Sequence, residues 1–180
     1  MKYLPFLLLL ISSASFAQAD TTDATTDSVV VKKPVIAELN EYRISVPEGW
    51  YIKAGCVDAS CMLLSRGDTL SSLDRFTENI SVTVSKLSSS KYTADQYADF
   101  SKGYLPKVVS NFTVLERKRL KSNKVLMVYR GKKDGFEQTW MQYYNVKNSK
   151  VYIVTCSIET KNYDYYRPII KEYAETFEWK

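Results

Sequence analysis

In several stretches of this chain apolar and polar residues alternate with a period of two, the spacing that gives a strand one buried face and one solvated face. Tyr42-Arg43-Ile44-Ser45-Val46 alternates in this way and stops at Pro47-Glu48-Gly49, a turn signal, before Trp50-Tyr51-Ile52 restarts a strand. Cys61-Met62-Leu63-Leu64 is a short apolar run ended by Arg66-Gly67-Asp68. Ile80, Val82 and Val84 alternate with Ser81, Thr83 and Ser85. Further strands are predicted over 113–120, 124–131, 136–146 and 151–159, with Asp134-Gly135 and Lys147-Asn148-Ser149-Lys150 as hairpin turns. Val125-Leu126-Met127-Val128-Tyr129 and Tyr152-Ile153-Val154 are apolar on both faces, the pattern of central strands covered on each side.

Two segments change period. Thr93 with Gln96 makes a capping box, and Tyr97, Phe100, Tyr104 and Val108 then fall at helical spacing as one predicted apolar stripe. Pro106 ends or kinks that helix. The second helix is predicted at about 163–174, followed by a short returning strand at Thr176-Phe177-Glu178-Trp179. Strands in hairpin-joined runs with two helices set apart predict an α+β single domain, an antiparallel β-sheet flanked by helices. No internal repeat occurs.

The first residues read as an address. Lys2 supplies a positive start, Leu4-Pro5-Phe6-Leu7-Leu8-Leu9-Leu10-Ile11 an apolar stretch, and Ala17-Gln18-Ala19 a small-residue cleavage site before Asp20. The apolar run falls well short of the roughly 18 residues that span a bilayer. Residues 1–19 are therefore expected to be a removable signal peptide, with no transmembrane segment in the mature chain and a secreted or periplasmic location. No cysteine stands at the cleavage point, so a lipid-anchored form is not expected. Residues 20–38 begin with Asp20-Thr21-Thr22-Asp23-Ala24-Thr25-Thr26-Asp27-Ser28, which has almost nothing to bury, and are expected to be a flexible Thr/Asp-rich tether. The folded domain is then expected over residues 39–180.

The order Tyr42-Arg43-Ile44-Ser45-Val46-Pro47-Glu48-Gly49-Trp50, then Asn79-Ile80-Ser81-Val82, then Thr93-Ala94-Asp95-Gln96-Tyr97, resembles the PsbP-like superfamily. The ending is similar too, with paired strands at 136–146 and 151–159, then Tyr163 to Tyr173 and Thr176-Phe177. The likeness covers residues 40–180 and includes PsbP subunits of photosystem II and DcrB-type envelope proteins. It implies an αβα sandwich and a non-catalytic binding role, with no catalytic residues to carry over.

Composition narrows the chemistry. The chain has no histidine, which removes mechanisms built on an imidazole base and most transition-metal sites. No catalytic residue, metal site or cofactor is expected, and no enzyme activity. Cys56 and Cys61 bracket Val57-Asp58-Ala59-Ser60, and in an oxidising compartment they read as a structural disulfide. Cys156 lies in an apolar strand as a small hydrophobe. Glu172 and Glu175 suit an exposed helix face as well as any carboxylate pair.

A formal charge of +5 is too small to point to nucleic acid, which export also disfavours. The basic stretch stands above background: Arg117, Lys118, Arg119, Lys121 and Lys124, followed across a hairpin by Arg130, Lys132 and Lys133. It admits two readings. The cations could gather at one end of the sheet as a binding surface for an acidic protein, an anionic lipid or a polyanionic glycan. Alternatively they guard an exposed edge hairpin against pairing with other sheets. The 14 tyrosines are expected to serve packing first.

The function expected from these residues is an exported binding or accessory protein of the cell envelope. It would act on a protein partner in an assembly, stress or immunity-type role. A carrier of a small apolar ligand is the alternative. Mass spectrometry of the exported protein should find a chain beginning at Asp20, Cys56 joined to Cys61 and Cys156 free. An exported chain still carrying Met1 would overturn the cleavage.

Overall fold

The computed structural model describes residues 35–39, 41–54, 62–66 and 74–180. The expected signal peptide and the Cys56–Cys61 disulfide lie outside the described residues.

The strand patterns produce two antiparallel sheets. The larger has seven strands: β3 (Trp50–Ala54), β4 (Met62–Arg66), β5 (Asn79–Lys86), β9 (Lys150–Glu159), β8 (Phe136–Lys147), β7 (Lys124–Lys133) and β6 (Ser110–Lys121), in that spatial order. The smaller joins β1 (Val35–Leu39), β2 (Tyr42–Val46) and β10 (Glu178–Trp179), with β2 in the middle. β1 begins inside the segment expected to be a tether, and it pairs with β2 from Val35↔Val46 to Leu39↔Tyr42. The ordered domain therefore starts earlier than residue 39.

Turn chemistry sets the registers. Asp134 and Gly135 both have positive φ (52° and 86°), as do Asn148 and Ser149 (51° and 57°). Two successive positive φ values are what a tight two-residue hairpin needs to match the twist of its strands. The pairs Lys133↔Phe136 and Lys147↔Lys150 close these turns.

Helix α1 (Ala94–Tyr104) covers one face of the large sheet, and a 3-10 turn at Leu105–Lys107 containing Pro106 follows it. The capping box forms as expected: the Gln96 amide donates to Thr93 Oγ1 at 3.2 Å, and the Thr93 amide to Gln96 Oε1 at 2.9 Å. The stripe that faces the sheet is Ala94, Tyr97, Ala98 and Ser101, continued by Leu105, whereas Phe100 is 46% exposed. This corrects the predicted stripe. Two alanines let the helix backbone lie close to the sheet, so the contact line runs through the small residues and only Tyr97 of the expected aromatics fills it. Beneath α1 lie Val125, Met127, Tyr129, Trp140, Tyr144, Val151 and Ile153. The opposite face is covered by α2 (Tyr163–Glu175) and the small sheet, packed on Leu126, Val128, Met141, Tyr143, Tyr152, Val154 and Cys156. Tyr143 and Tyr144 thus enter different cores. Both apolar strands read as central, β7 and β9, are indeed buried on each side.

Where β6 starts against β7, the backbones approach closely. A Cβ built on buried Gly131 would stand 2.4 Å from Val109 Cγ1 and 2.6 Å from the Ser110 carbonyl oxygen, whereas Gly103 in α1 has nothing within 4 Å. Gly131→Ala should lower unfolding stability by about 1–3 kcal/mol through overpacking against backbone. Gly103→Ala should be neutral or stabilising by up to about 1 kcal/mol. Thermal denaturation of both variants checks this, and equal melting temperatures would overturn the close approach.

Candidate functional site

The basic stretch folds into the β6–β7 hairpin, and the register decides where each cation goes. Lys121 faces Lys124 at the hairpin turn, whereas Arg130 faces Thr113 and Lys132 faces Ser110. Six residues of strand from Lys124 to Arg130 are about 20 Å. The two halves of the basic stretch therefore stand at opposite ends of the hairpin and do not gather at one end. An antiparallel pair separates cations that lie before and after the same run of strand.

The faces divide them again. Arg117 pairs with Met127 and Arg119 with Val125, so both project from the α1 face. There Arg117 Nη2 lies 3.1 Å from Asp95 Oδ1 and 3.1 Å from Asp99 Oδ1, and Arg119 pairs with the other oxygen of Asp95. These arginines pin the first turns of α1 to the sheet edge. Lys118 pairs with Leu126 and so projects from the opposite face. Lys133 is held by the neighbouring Asp134 at 2.8 Å. Lys118, Lys121, Arg130 and Lys132 have no ion pair among the described residues. Lys124 is half-buried with its ammonium 5.2 Å from the Tyr143 ring centroid, and desolvation lowers its pKa.

β6 is the terminal strand of the sheet among the described residues, twelve residues long. Its pairing with β7 slips between Ser110 and Thr113, between Val114 and Glu116, and between Arg119 and Lys121. Leu115 stands in the middle slip and is 48% exposed. Bulges and cations both discourage a further strand from adding to an edge. A partner on this edge would meet side chains rather than the backbone ladder.

A second polar cluster ties the small sheet to the large one. Glu41, at the start of β2, takes an ion pair from Lys150 and a hydrogen bond at 2.8 Å from the Tyr152 hydroxyl. The Lys150 ammonium first, and the Tyr152 hydroxyl second, hold the Glu41 carboxyl below its ordinary value of 4.5. Burial, helped by Glu41, pushes Tyr152 up to about 12. The sequence reading missed this cluster because its members lie 109 and 111 residues apart. Cys156 is free and fully buried, and burial pushes its thiol pKa up, away from nucleophilic reactivity. Glu172 and Glu175 are exposed. No helix among the described residues is long and apolar enough to cross a membrane.

No protein-family model and no curated protein matches the chain. Solved structures do. The chain superposes on cyanobacterial PsbP (CyanoP) from Synechocystis with a TM-score of 0.57, at 15% identity, over 87% of this chain and 98% of that one. The fold is PsbP-like. LpqN, involved in cell envelope biogenesis of Mycobacterium tuberculosis, gives a TM-score of 0.60 at 14% identity, over 82% of this chain and 90% of its own. A protein of unknown function from Pseudomonas aeruginosa gives 0.54 at 15% identity, over 77% and 92%. At 14–15% identity these likenesses show the fold alone.

Because Glu41 is depressed in the folded state, its contribution to stability is present above pH 4.5 and is lost as pH falls through its lower folded-state value. Melting temperature against pH should therefore separate wild type from Glu41→Gln at neutral pH and bring them together below pH 4.5. A gap that stays constant into acid would show that Glu41 acts through packing alone.

Proposed function

We propose that this chain is an exported, non-catalytic accessory protein of the cell envelope that binds an acidic protein partner along the β6 side of its sheet. The observation that carries the reading is the β6 edge itself. It is a twelve-residue outer strand with exposed Leu115 at its middle, exposed Lys118 and Lys121 on one face, and Arg117 and Arg119 fixed by Asp95 and Asp99 on the other. Arginines whose geometry is already set lose little entropy when a carboxylate arrives, and an apolar residue among cations gives a partner something to desolvate. Arg130 and Lys132 extend the positive field along the hairpin. The bulged, cationic edge favours side-chain recognition over strand addition, so the contact is electrostatic and salt-sensitive.

An export signal at residues 1–19 and the envelope role printed for LpqN both support an envelope location. The burial of Cys156 supports a role without a thiol nucleophile. The carrier alternative has no observation in its favour. Large side chains occupy the space between sheet and covers: Tyr97, Tyr129, Trp140 and Tyr144 on one side, Tyr143, Tyr152, Tyr166 and Phe177 on the other.

Photo-crosslinking groups placed at Leu115 and Lys118 in intact cells should capture one acidic protein, and a group at exposed Tyr165 on α2 should not. The product should fall with rising salt and in Lys118→Glu. Equal capture from Tyr165, or a product indifferent to Lys118→Glu, would move the binding surface elsewhere. Co-purification of an apolar small molecule with no protein would replace the reading with the carrier.

A further inference from the structure

In an antiparallel meander alternate turns stand at the same end of the sheet. Lys121-Ser122-Asn123-Lys124 joins β6 to β7, and Lys147-Asn148-Ser149-Lys150 joins β8 to β9. β5 runs antiparallel to β9 and brings Lys86 to that end, facing Lys150. The register links the rest: Lys121 faces Lys124, Lys124 faces Asn145, and Lys147 faces Lys150. Residues directly opposed in an antiparallel pair share a face, as do residues two apart on one strand. Lys86, Lys121, Lys124, Lys147 and Lys150 therefore form one row on the α2 face, crossing five adjacent strands over about 19 Å.

Few carboxylates answer this row. Glu41 pairs with Lys150 and acts on Lys86, and Glu175 acts on Lys124. Lys180, brought to this end by the hydrogen bond its backbone N–H donates to the Glu41 carbonyl at 3.0 Å, pairs with Glu38. Lys86, Lys121 and Lys147 are exposed and have no ion pair among the described residues. Lys147 lies 5.0 Å from the centroid of the Trp179 ring. Residues 86–91, 121–124 and 147–150 contain no acidic residue, and serine and asparagine fill most of the places between their lysines.

We propose that this end of the sheet is an electrostatic docking face for an anionic membrane surface. The row is lysine throughout, with no arginine. Surfaces made for proteins enrich arginine and deplete lysine, because the planar guanidinium fork orients a carboxylate and the ammonium does not. Ammoniums on long flexible stems respond instead to charge density, and a layer of anionic headgroups presents that without a fixed pattern. Three such stems, Lys86, Lys121 and Lys147, spread along one end with Lys124 and Lys150 between them, suit a plane better than a peptide. This inference goes beyond the protein-binding reading and does not rest on it, since Lys86 and Lys147, the residues whose loss should weaken vesicle binding, are no part of the β6 surface.

The test is sedimentation of the chain, in the form the cell makes, with phosphatidylcholine vesicles with and without phosphatidylglycerol. Binding should require phosphatidylglycerol and weaken as salt rises. Each lysine near an anionic surface is worth about five-fold in partitioning, so Lys86→Gln with Lys147→Gln should cost about 25-fold. Arg130→Gln with Lys132→Gln removes the same charge at the far end of the hairpin and should cost less than about three-fold. Equal losses in the two doubles would show a response to net charge alone and overturn the docking face. Wild type that ignores phosphatidylglycerol would do the same, as would a Lys86/Lys147 double that binds vesicles normally but loses a protein crosslink.

Discussion

Strand β8 is buried along eight consecutive residues, Gln138 to Asn145, and that two-sided burial dictates the layers around it. A strand with Trp140 and Tyr144 on one face and Met141 and Tyr143 on the other has to be covered twice. α1 supplies one cover; α2 and the three-stranded sheet supply the second. Apart from the Tyr143 hydroxyl, which has no partner among the described residues, the buried polar side chains of this strand are provided for locally. Gln142 donates to Thr155 Oγ1 at 3.1 Å and accepts from the Tyr144 hydroxyl, and Asn145 donates to the carbonyls of Tyr143 and Tyr152. A buried polar group left without such a partner costs about 1–3 kcal/mol.

Elements whose information is local could be read from the sequence. The β5 alternation, the Thr93–Gln96 box, the Asp134-Gly135 turn and the two-faced apolar run of β7 each depend on residues within a few positions of one another. The buried stripe of α1 could not be read so well. Its choice of Ala94 and Ala98 over Phe100 depends on the sheet residues it packs against, Tyr129, Trp140 and Tyr144, which come from far along the chain. β1 was hidden for a related reason: five residues with one buried position, Ala37, look like linker until β2 is beside them.

Charge was legible as composition and illegible as geometry. Eight cations between Arg117 and Lys133 look like one patch in the sequence, yet pairing across the hairpin sends them to two ends and two faces. The lysines that do come together are spread from Lys86 to Lys150 and look like background when read in order. The signal was present in the two Lys-x-x-Lys turns, but using it required knowing that β6 to β9 form an uninterrupted meander.

The pairing of β10 with β2 brings Glu178 beside Arg43, 135 residues away, with a carboxylate–guanidinium contact of 2.7 Å. Closing so long a loop is slow, because the chain's entropy is spent before the contact forms. A chain still being made has no β10 and no α2. Until those residues arrive, Tyr42, Ile44 and Val46 have lost neither their apolar character nor their exposure to whatever they meet. The first strands of this domain are thus held in suspense by its last, and their apolar faces stay uncovered until synthesis ends.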